Sequence, residues 1–432
     1  MNSHFKSLTI SGWRQFHNVS IEFHPRLTVI TGSNGAGKST ILNLLTPHFG
    51  WQRAFLGTPR RQRRNGMQYF STGLRRGGHV QPGNSVIFGS IDYSNGITAQ
   101  MYVGSEGQQY GVTIHNQQPV VGTFISSHRS VPVFKPVTQI NTAAVHPDQA
   151  YNVYQSEAVQ RFSGHHNHNS FGSIYRLKET LVSLAMFGTQ SELSAGDEHA
   201  ISYFRDFVDV LRVVLPESLG FQDLSIRIAD VVMETSTGHF VIDAASGGVM
   251  SLIDMAWQIY TFSKTSQASN AASFTVVMDE PENHLHPSMQ RTLLANLLKA
   301  FPKAQFVVAT HSPFMVSSVK DSTVYALRYG LVELDPILID GDDSARMASL
   351  VFSNKLDVIN RAGNAAEILR DVLGVSVTVP LWVEEQLNAL VTEYRDRELN
   401  LENLNELRSR MTELGFGEMY PTALAGVIKT ND

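Results

Sequence analysis

A glycine-rich turn between two apolar runs constrains this chain more than any other feature of its sequence. The run Leu27–Ile30 is short, apolar and rich in β-branched residues, as buried parallel strands are, and Ile41–Leu45 continues with helical apolar character. Gly32–Thr40 lies between them. Glycines let backbone N–H groups of such a turn point inward at phosphate oxygens, and the positive end of the following helix adds to the attraction. The sequence therefore predicts a strand, a phosphate-binding loop and a helix in succession.

The residues of this loop have separate predicted roles. Lys38 is expected to reach the β and γ phosphates of a nucleoside triphosphate, and Ser39 to ligate Mg²⁺. A glycine turn with an incidental lysine is the alternative, and the flanking strand and helix disfavour it. The expected cofactors are thus ATP and Mg²⁺. The candidate ATP-binding residues of the loop are Gly32, Ser33, Asn34, Gly35, Ala36, Gly37, Lys38, Ser39 and Thr40.

Two adjacent carboxylates end a second buried strand far along the chain. In an open α/β sheet, the end of such a strand is where ligand chemistry is placed. We expect Asp279 to be the second holder of Mg²⁺ and Glu280 to be the base or orienter for the attacking water. His311 follows the next apolar strand, where it is expected to sense the γ-phosphate, although a histidine at a strand end is ordinarily structural. The catalytic candidates are therefore Lys38, Glu280 and His311.

A third motif opens an amphipathic run. Ser246, Gly247 and Gly248 precede the apolar stretch Met250–Tyr260, which predicts a helix N-terminus able to bind an anion. The tripeptide alone is a weak signal. Its position between the other two motifs favours a nucleotide-binding role.

Together, these motifs resemble those of the ABC-type ATPases, and more narrowly of their SMC-like and OLD-like soluble branch. In that family Gly32–Thr40 is the Walker A loop, Ser246–Gly248 an abbreviated signature, Asp279-Glu280 Walker B and His311 the switch histidine. The stretch Asp279–Pro287 is the most specific part of the resemblance, which covers about half the chain. The signature departs from the usual Leu-Ser-Gly-Gly-Gln form, which puts one side-chain contact in doubt. In the family this motif closes over ATP held by the opposite subunit of a head-to-tail homodimer.

The resemblance implies an α/β fold: an ABC-type ATPase head with a P-loop parallel sheet, an antiparallel β lobe, a helical insertion and a helical C-terminal tail. Residues 1–50 are expected to form the first part of the ATPase core, and residues 240–330 the second. An insertion is expected over 51–239, and a C-terminal helical region over 331–432.

The insertion carries several further signals. Alternating apolar residues over Ser85–Asn116 predict an antiparallel meander, and helical spacing predicts helices over Ser173–Leu215. Gln68 is a candidate for the family's Q-loop glutamine. Arg129 is expected to contact phosphate or the dimer interface, with an ordinary salt bridge as the alternative. A metal site at His165, His166 and His168 is disfavoured because no carboxylate neighbours them.

An arginine cluster lies early in the insertion. Such a cluster binds nucleic-acid phosphates, binds the acidic face of a partner, or remains solvated, and the sequence leaves these three possibilities open. Its members are Arg53, Arg60, Arg61, Arg63, Arg64, Arg75 and Arg76.

Composition excludes several classes of protein. The chain of 432 residues has a formal net charge of −5 and no cysteine, which excludes disulfides and cysteine-based zinc sites. No apolar run is long enough to span a membrane, and the N-terminus lacks the character of a signal peptide. We therefore expect a cytoplasmic protein without a membrane partner. A role as a transporter's nucleotide-binding subunit is disfavoured.

The C-terminal residues predict helices and no nuclease. Val383–Glu385 faintly resembles the start of the Toprim domain of OLD-type nucleases, but no Asp-x-Asp pair follows. The resemblance therefore points to ATPase components of anti-phage systems, similar to the Septu ATPases PtuA and the PARIS ATPases AriA, which act with a separate nuclease or toxin effector. The alternative is a DNA-maintenance ATPase resembling RecF, binding duplex DNA through the arginine cluster.

Overall fold

A computed structural model of the chain consists of two compact units, Met1–Ile368 and Leu369–Asp432. The structure describes residues 3–62, 66–70, 85–104, 108–129, 134–140, 145–162, 172–190, 196–227, 230–334, 346–357, 365–373, 381–395, 397 and 400–428. No helix within these residues is long and apolar enough to cross a membrane.

Eighteen strands are described, and eleven of them form one sheet. Their bounds are β1 (Phe5–Trp13), β2 (Phe16–Glu22), β3 (Leu27–Gly32), β4 (Phe55–Leu56), β5 (Thr58–Gln62), β6 (Gly66–Phe70), β7 (Val86–Tyr93), β8 (Thr98–Val103), β9 (Gln109–Tyr110), β10 (Val112–His115), β11 (Gly122–Ile125), β12 (Phe221–Arg227), β13 (Asp230–Thr235), β14 (Gly238–Val241), β15 (Phe274–Asp279), β16 (Ala304–Ala309), β17 (Thr323–Leu334) and β18 (Arg346–Lys355). The order in the large sheet is β10-β8-β7-β1-β2-β18-β17-β3-β16-β15-β11.

The helices cover the sheet and build the smaller unit. Their bounds are α1 (Lys38–Leu45), α2 (Pro147–Phe162), α3 (Ser173–Gly188), α4 (Glu198–Val214), α5 (Gly247–Lys264), α6 (Ser266–Ser269), α7 (Pro287–Ala300), α8 (Pro313–Val316), α9 (Ala365–Glu367), α10 (Leu381–Arg395), α11 (Leu401–Glu413) and α12 (Tyr420–Ile428). Short 3-10 turns occupy Thr46–Phe49, Glu217–Leu219, Ile242–Ala244 and Gly417–Met419, and a π-helical turn occupies Ile368–Val372.

Half of the large sheet is parallel and half is antiparallel. The strands β17, β3, β16, β15 and β11 pair in parallel, whereas β1, β2, β7, β8 and β10 pair antiparallel. Every residue of β3, β15 and β16 is buried, as expected of strands covered on both faces. The predicted α/β head, with a parallel P-loop sheet beside an antiparallel lobe, is confirmed.

The structure adds strands to two of the predicted segments. The region 331–432 is not helical throughout, because β17 and β18 form a long antiparallel pair, with Tyr325 opposite Lys355 and Leu334 opposite Arg346. In the large sheet, β18 lies between β17 and β2. Within 51–239, β11 extends the parallel sheet beside β15. In the large sheet β17 also pairs with β3, and β18 with β2. These partners are remote in sequence, so no local pattern announces the pairing.

The predicted helices over 173–215 are α3 and α4, and they pack with α5 into the helical part of the larger unit. Trp257 of α5 contacts Phe207 of α4 at a ring-centroid distance of 4.8 Å, edge to face. Tyr260 donates a hydrogen bond of 2.6 Å to the carbonyl of Tyr203. These contacts anchor α5, whose first turn carries Ser246–Gly248, against the rest of the unit.

The smaller unit is helical, as predicted for the end of the chain. Its core contains Leu387, Leu390, Tyr394, Leu407 and Met411, which recur at the spacing of amphipathic helices. The helix α11 ends just before Gly415, which has the left-handed φ of 84° expected at a helix C-terminus.

A buried ion pair fixes the segment that leads into α5. Lys178 Nζ lies 2.7 Å from Asp243 Oδ2, and the two side chains are 1% and 6% exposed. The same ammonium donates to the carbonyl of Lys135 at 2.7 Å. Removing one partner of a buried pair leaves an uncompensated charge in a medium of low polarity.

We therefore expect Asp243→Ala to lower the free energy of unfolding by about 3–5 kcal/mol, measured by chemical denaturation. The matched control is Asp206→Ala, which removes the half-exposed partner of Lys264, 2.6 Å away. Its cost should be below about 1 kcal/mol. Equal losses in the two variants would contradict the assigned role of Asp243.

Candidate active site

Four chain segments reach the same edge of the sheet because four parallel strands end there. The phosphate loop follows β3, Asp279 and Glu280 end β15, His311 follows β16, and Ser126–Arg129 follows β11. The strand order β3-β16-β15-β11 places these segments side by side. Their side chains and backbone groups form the candidate active site.

The loop glycines adopt conformations that other residues rarely take. Gly32, Gly35 and Gly37 have φ of 147°, 81° and 98°. A Cβ at Gly32 would lie 2.6 Å from the carbonyl oxygen of Leu327, and one at Gly37 would overlap the Phe16 ring. Glycine is thus needed for the backbone angle at all three positions, and for space at Gly32 and Gly37. The predicted strand, loop and helix are all present.

Lys38 lies inside the loop, with its ammonium bound to backbone. Its Nζ donates to the carbonyl of Gly32 at 2.9 Å and to that of Ser33 at 3.2 Å. Burial lowers the pKa of Lys38, and the nearby carboxylates, chiefly Glu280 and then Asp279, oppose this shift. A buried ammonium satisfied mainly by carbonyl dipoles is well suited to exchange those dipoles for an anion.

Ser39 and Asp279 meet across the sheet edge. Ser39 Oγ donates to Asp279 Oδ1 at 3.1 Å. Burial raises the pKa of Asp279 to about 6, while the Ser39 hydrogen bond favours the carboxylate. A hydroxyl and a carboxylate are hard oxygen donors, and Mg²⁺ characteristically takes few protein ligands and fills its remaining positions with waters and phosphates. The two residues therefore fit the predicted Mg²⁺ site.

Glu280 has an unusual backbone and a held side chain. Its φ is 46°, and its N–H donates to the carbonyl of Ala309 at 2.9 Å. Asn283 Nδ2 donates to one carboxylate oxygen at 3.2 Å, and His311 Nδ1 lies 3.5 Å from the other. Left-handed backbone at a non-glycine residue costs of order 1–3 kcal/mol and clusters at functional sites. The structure therefore brings the predicted base and the predicted switch histidine together.

Glu282 belongs to the site, although sequence reasoning missed it. It is 4% exposed, and its Oε1 accepts hydrogen bonds from Thr310 Oγ1 at 2.5 Å and from the His311 N–H at 3.0 Å. The same oxygen lies 3.5 Å from His311 Nδ1. In the sequence, the signal for this role was a second acid two residues after Glu280. Glu282 joins β15 to β16 and orients the histidine.

Arg129 holds the turn that carries Glu280. One terminal nitrogen donates to the carbonyls of Glu280, Pro281 and Asn283, at 3.1, 3.2 and 3.2 Å. Burial lowers the pKa of Arg129, opposed first by the charge of Asp254. The sequence predicted that Arg129 contacts phosphate or the dimer interface, or forms an ordinary salt bridge. The hydrogen bonds of this terminal nitrogen are to backbone carbonyls, which were not predicted.

The signature residues begin α5, as predicted. Ser246 is exposed and accepts a 3.4 Å hydrogen bond from the N–H of Val249. Gly248 lies against the Walker B turn, since a Cβ there would be 3.1 Å from the carbonyl oxygen of His284. Within the described part of the chain, no hydrogen bond joins Ser246–Gly248 to the phosphate loop of the same molecule.

Of the predicted arginine cluster, the side chain of Arg53 is described. Arg53 is exposed, with its guanidinium carbon 5.7 Å from the centre of the Phe162 ring. Several other predicted residues lie outside the described residues or have undescribed side chains: Arg60, Arg61, Arg63, Arg64, Gln68, Arg75, Arg76, His165, His166 and His168.

Two families of known proteins match the chain, each over one of the two segments that build this site. An AAA domain family matches residues 7–120, and an AAA ATPase domain family matches residues 205–316. The Septu protein PtuA of Bacillus thuringiensis is 26% identical over 201 residues, which are 44% of this chain and 45% of that protein. The Retron Ec83 probable ATPase of Escherichia coli is 27% identical over 148 residues, 33% of this chain and 27% of that protein. The chain thus spans less than half the length of these curated relatives.

Among solved structures, the SMC head domain from Thermotoga maritima covers 83% of this chain and all of its own, at 13% identity and a TM-score of 0.38. The AAA matches lie on the two segments that supply the phosphate loop and the Asp279-Glu280 pair. The chain is therefore similar to AAA ATPase domains over these two segments, and to a Septu protein and a retron ATPase over part of their length.

We expect Gly37→Ala to weaken ATP binding at least about tenfold, because the added methyl group would collide with Phe16 and displace the loop from its phosphate-binding conformation. The measurement is a titration with a fluorescent ATP analogue. Gly50→Ala is the matched control: Gly50 has a similar φ of 80°, and nothing lies within 4 Å of the added Cβ. Unchanged affinity in Gly37→Ala would show that this loop does not hold the nucleotide.

Proposed function

We propose that this chain binds and hydrolyses ATP as the switch subunit of an anti-phage defence assembly. One observation carries the proposal: the ends of three adjacent parallel strands bring Lys38, Ser39, Asp279, Glu280 and His311 to a single edge of the sheet. A phosphate loop, a magnesium-type oxygen pair and a positioned carboxylate are the parts that phosphoryl transfer to water needs.

Each side chain has a task in this mechanism. Lys38 exchanges its carbonyl partners for the β and γ phosphates, and Ser39 and Asp279 hold Mg²⁺. When bound, Mg²⁺ neutralises charge on the phosphate oxygens. Glu280 orients a water for attack and accepts its proton, while Asn283 and His311 fix the two oxygens of its carboxylate.

A second copy of the chain would complete the site. Ser246 and Gly247 are exposed at the start of the 18-residue helix α5, whose N-terminal dipole attracts anions. In the ABC-type family that the chain resembles, this helix start closes over the nucleotide of the opposite subunit. We therefore propose a head-to-tail homodimer that closes on ATP and opens after hydrolysis.

Glu280→Gln tests the chemistry. The variant should bind ATP with unchanged affinity and hydrolyse it at least about a hundredfold more slowly, because the amide cannot accept the proton of the attacking water. Native mass should then show an ATP-dependent dimer that persists. Glu217→Gln, a change at an exposed glutamate of the 3-10 turn, is the control. Hydrolysis at the unaltered rate would eliminate Glu280 as the base, and monomers at saturating ATP would eliminate the shared site.

The defence role is supported by the relatives named for Septu and retron systems and by the resemblance to ATPases that act with separate effectors. In this proposal the closed and open dimers hold and release a nuclease or toxin encoded beside the ATPase gene. An effector that binds one state of the dimer more tightly than the other would be held by that state and released by the other.

A strain carrying Lys38→Ala should lose phage protection, because the switch can no longer bind its nucleotide. The measurement is plating efficiency, combined with affinity purification of Glu280→Gln protein coexpressed with its neighbouring genes. Protection equal to that of the unaltered strain would contradict the proposed ATP switch. An ATP-dependent dimer that carries no companion protein would favour a DNA-maintenance role resembling RecF instead.

A further inference from the structure

A cavity of about 320 Å³ lies behind the turn that carries Glu280. It is separate from the phosphate loop, because none of its lining residues belongs to Gly32–Thr40. Its volume falls within the range of small-molecule sites. The lining residues that matter for its chemistry are Trp51, Arg53, Arg129, Tyr154, Phe162 and Asp254.

Two of these residues offer buried donors that lack acceptors. Arg129 Nε and NH1 and the indole Nε1 of Trp51 are buried and have no hydrogen-bond partner among the described residues. Guanidinium and indole nitrogens donate and never accept. Leaving such donors unsatisfied costs roughly 1–3 kcal/mol each, and more for charged groups. The cavity is therefore complementary to an acceptor, and Arg53, a second guanidinium, makes an anionic acceptor the best match.

Aromatic rings and one acid define the rest of the ligand. Trp51 and Phe162 meet edge to face with centroids 5.6 Å apart, and Tyr154 also lines the cavity. Aromatic surfaces favour a planar ring. Asp254 accepts a 3.0 Å hydrogen bond from Gln258, and its carboxylate favours a ligand that also carries N–H or O–H donors.

Arg129 connects this cavity to the candidate active site. The nitrogen not counted among its unsatisfied donors is the one that binds the carbonyls of Glu280, Pro281 and Asn283. A ligand bound to the remaining nitrogens would therefore act on the side chain that fixes the turn of Glu280. Binding in the cavity is thereby coupled to the position of the proposed base.

We propose that this cavity binds a free nucleoside monophosphate and that the bound ligand adjusts ATP hydrolysis through Arg129. The phosphate meets the two arginines and the Trp51 N–H, the base meets the aromatic wall, and a base or ribose donor meets Asp254. The coupling rests on the proposed ATPase function, whereas the binding site does not.

The test is calorimetric titration of AMP, GMP, CMP, UMP and inorganic phosphate into the full chain carrying Lys38→Ala, which removes binding at the phosphate loop. At least one monophosphate should bind with 1:1 stoichiometry and a Kd below about 1 mM, more tightly than phosphate alone. Trp51→Phe, which keeps the ring and deletes the N–H, and Arg53→Gln should each weaken binding about tenfold. Arg205→Gln, a change at an exposed arginine of α4 outside the cavity, should leave it unchanged.

Absence of binding by all four monophosphates, or undiminished binding in both Trp51→Phe and Arg53→Gln, overturns the proposed site. Hydrolysis by the unaltered protein separates the two proposals. A saturating monophosphate should change kcat at least about threefold, and Trp51→Phe should raise the ligand concentration that gives half of this change about tenfold. An unchanged kcat overturns the coupling. Binding without any ATP hydrolysis overturns the proposed function and retains the site.

Discussion

Parallel pairing of β3, β16 and β15 is the constraint on which the candidate site depends. Ile30 is opposite Ala309, and Ala309 is opposite Asp279, so the phosphate loop, His311 and the two acids leave the sheet at one level. Parallel strands need partners on both faces, which α1 and the surrounding helices and strands supply. The chemistry therefore rests on the same backbone hydrogen bonds that hold the core of the larger unit.

Several charged groups of the site are buried, where water cannot solvate them. Lys38, Asp279 and Glu282 are all less than a tenth exposed, and burial alone works against every one of their charged forms. The attraction between Lys38 and the two acids compensates in part, as do hydrogen bonds, whereas the acids repel each other. This balance leaves Asp279 with its pKa raised to about 6 and Lys38 with its ammonium bound to carbonyls. A bound nucleotide and cation would offset the rest of the free-energy cost of burying these groups. That cost is therefore linked to ligand affinity.

Local pattern predicted those elements whose signal lies within a few residues. Continuous apolar runs predicted the strands β3 and β15. Alternating apolar residues predicted the meander, and amphipathic spacing predicted the helices of the smaller unit. The strands β17 and β18 were not predicted, because their places in the sheet depend on β3 and β2, which lie hundreds of residues away. For Ser353 of β18, the contact is with Ser20 of β2, a separation that no local window can register. The catalytic candidates followed from motifs, yet Glu282 acquired a role only when Thr310 and the His311 N–H were found beside it.

By itself, the sequence determined the phosphate loop, the acids that follow the second strand, the cap of the signature helix and the exclusion of cysteine chemistry. These are properties of residue type at short spacing, governed by backbone freedom and hydrogen-bonding capacity. Only the tertiary structure decided what Arg129 binds, which acid holds His311, and that a cavity with unsatisfied donors lies behind the Glu280 turn. Those features arise between segments distant in the chain, where burial and the direction of each donor, rather than residue identity, fix the partner.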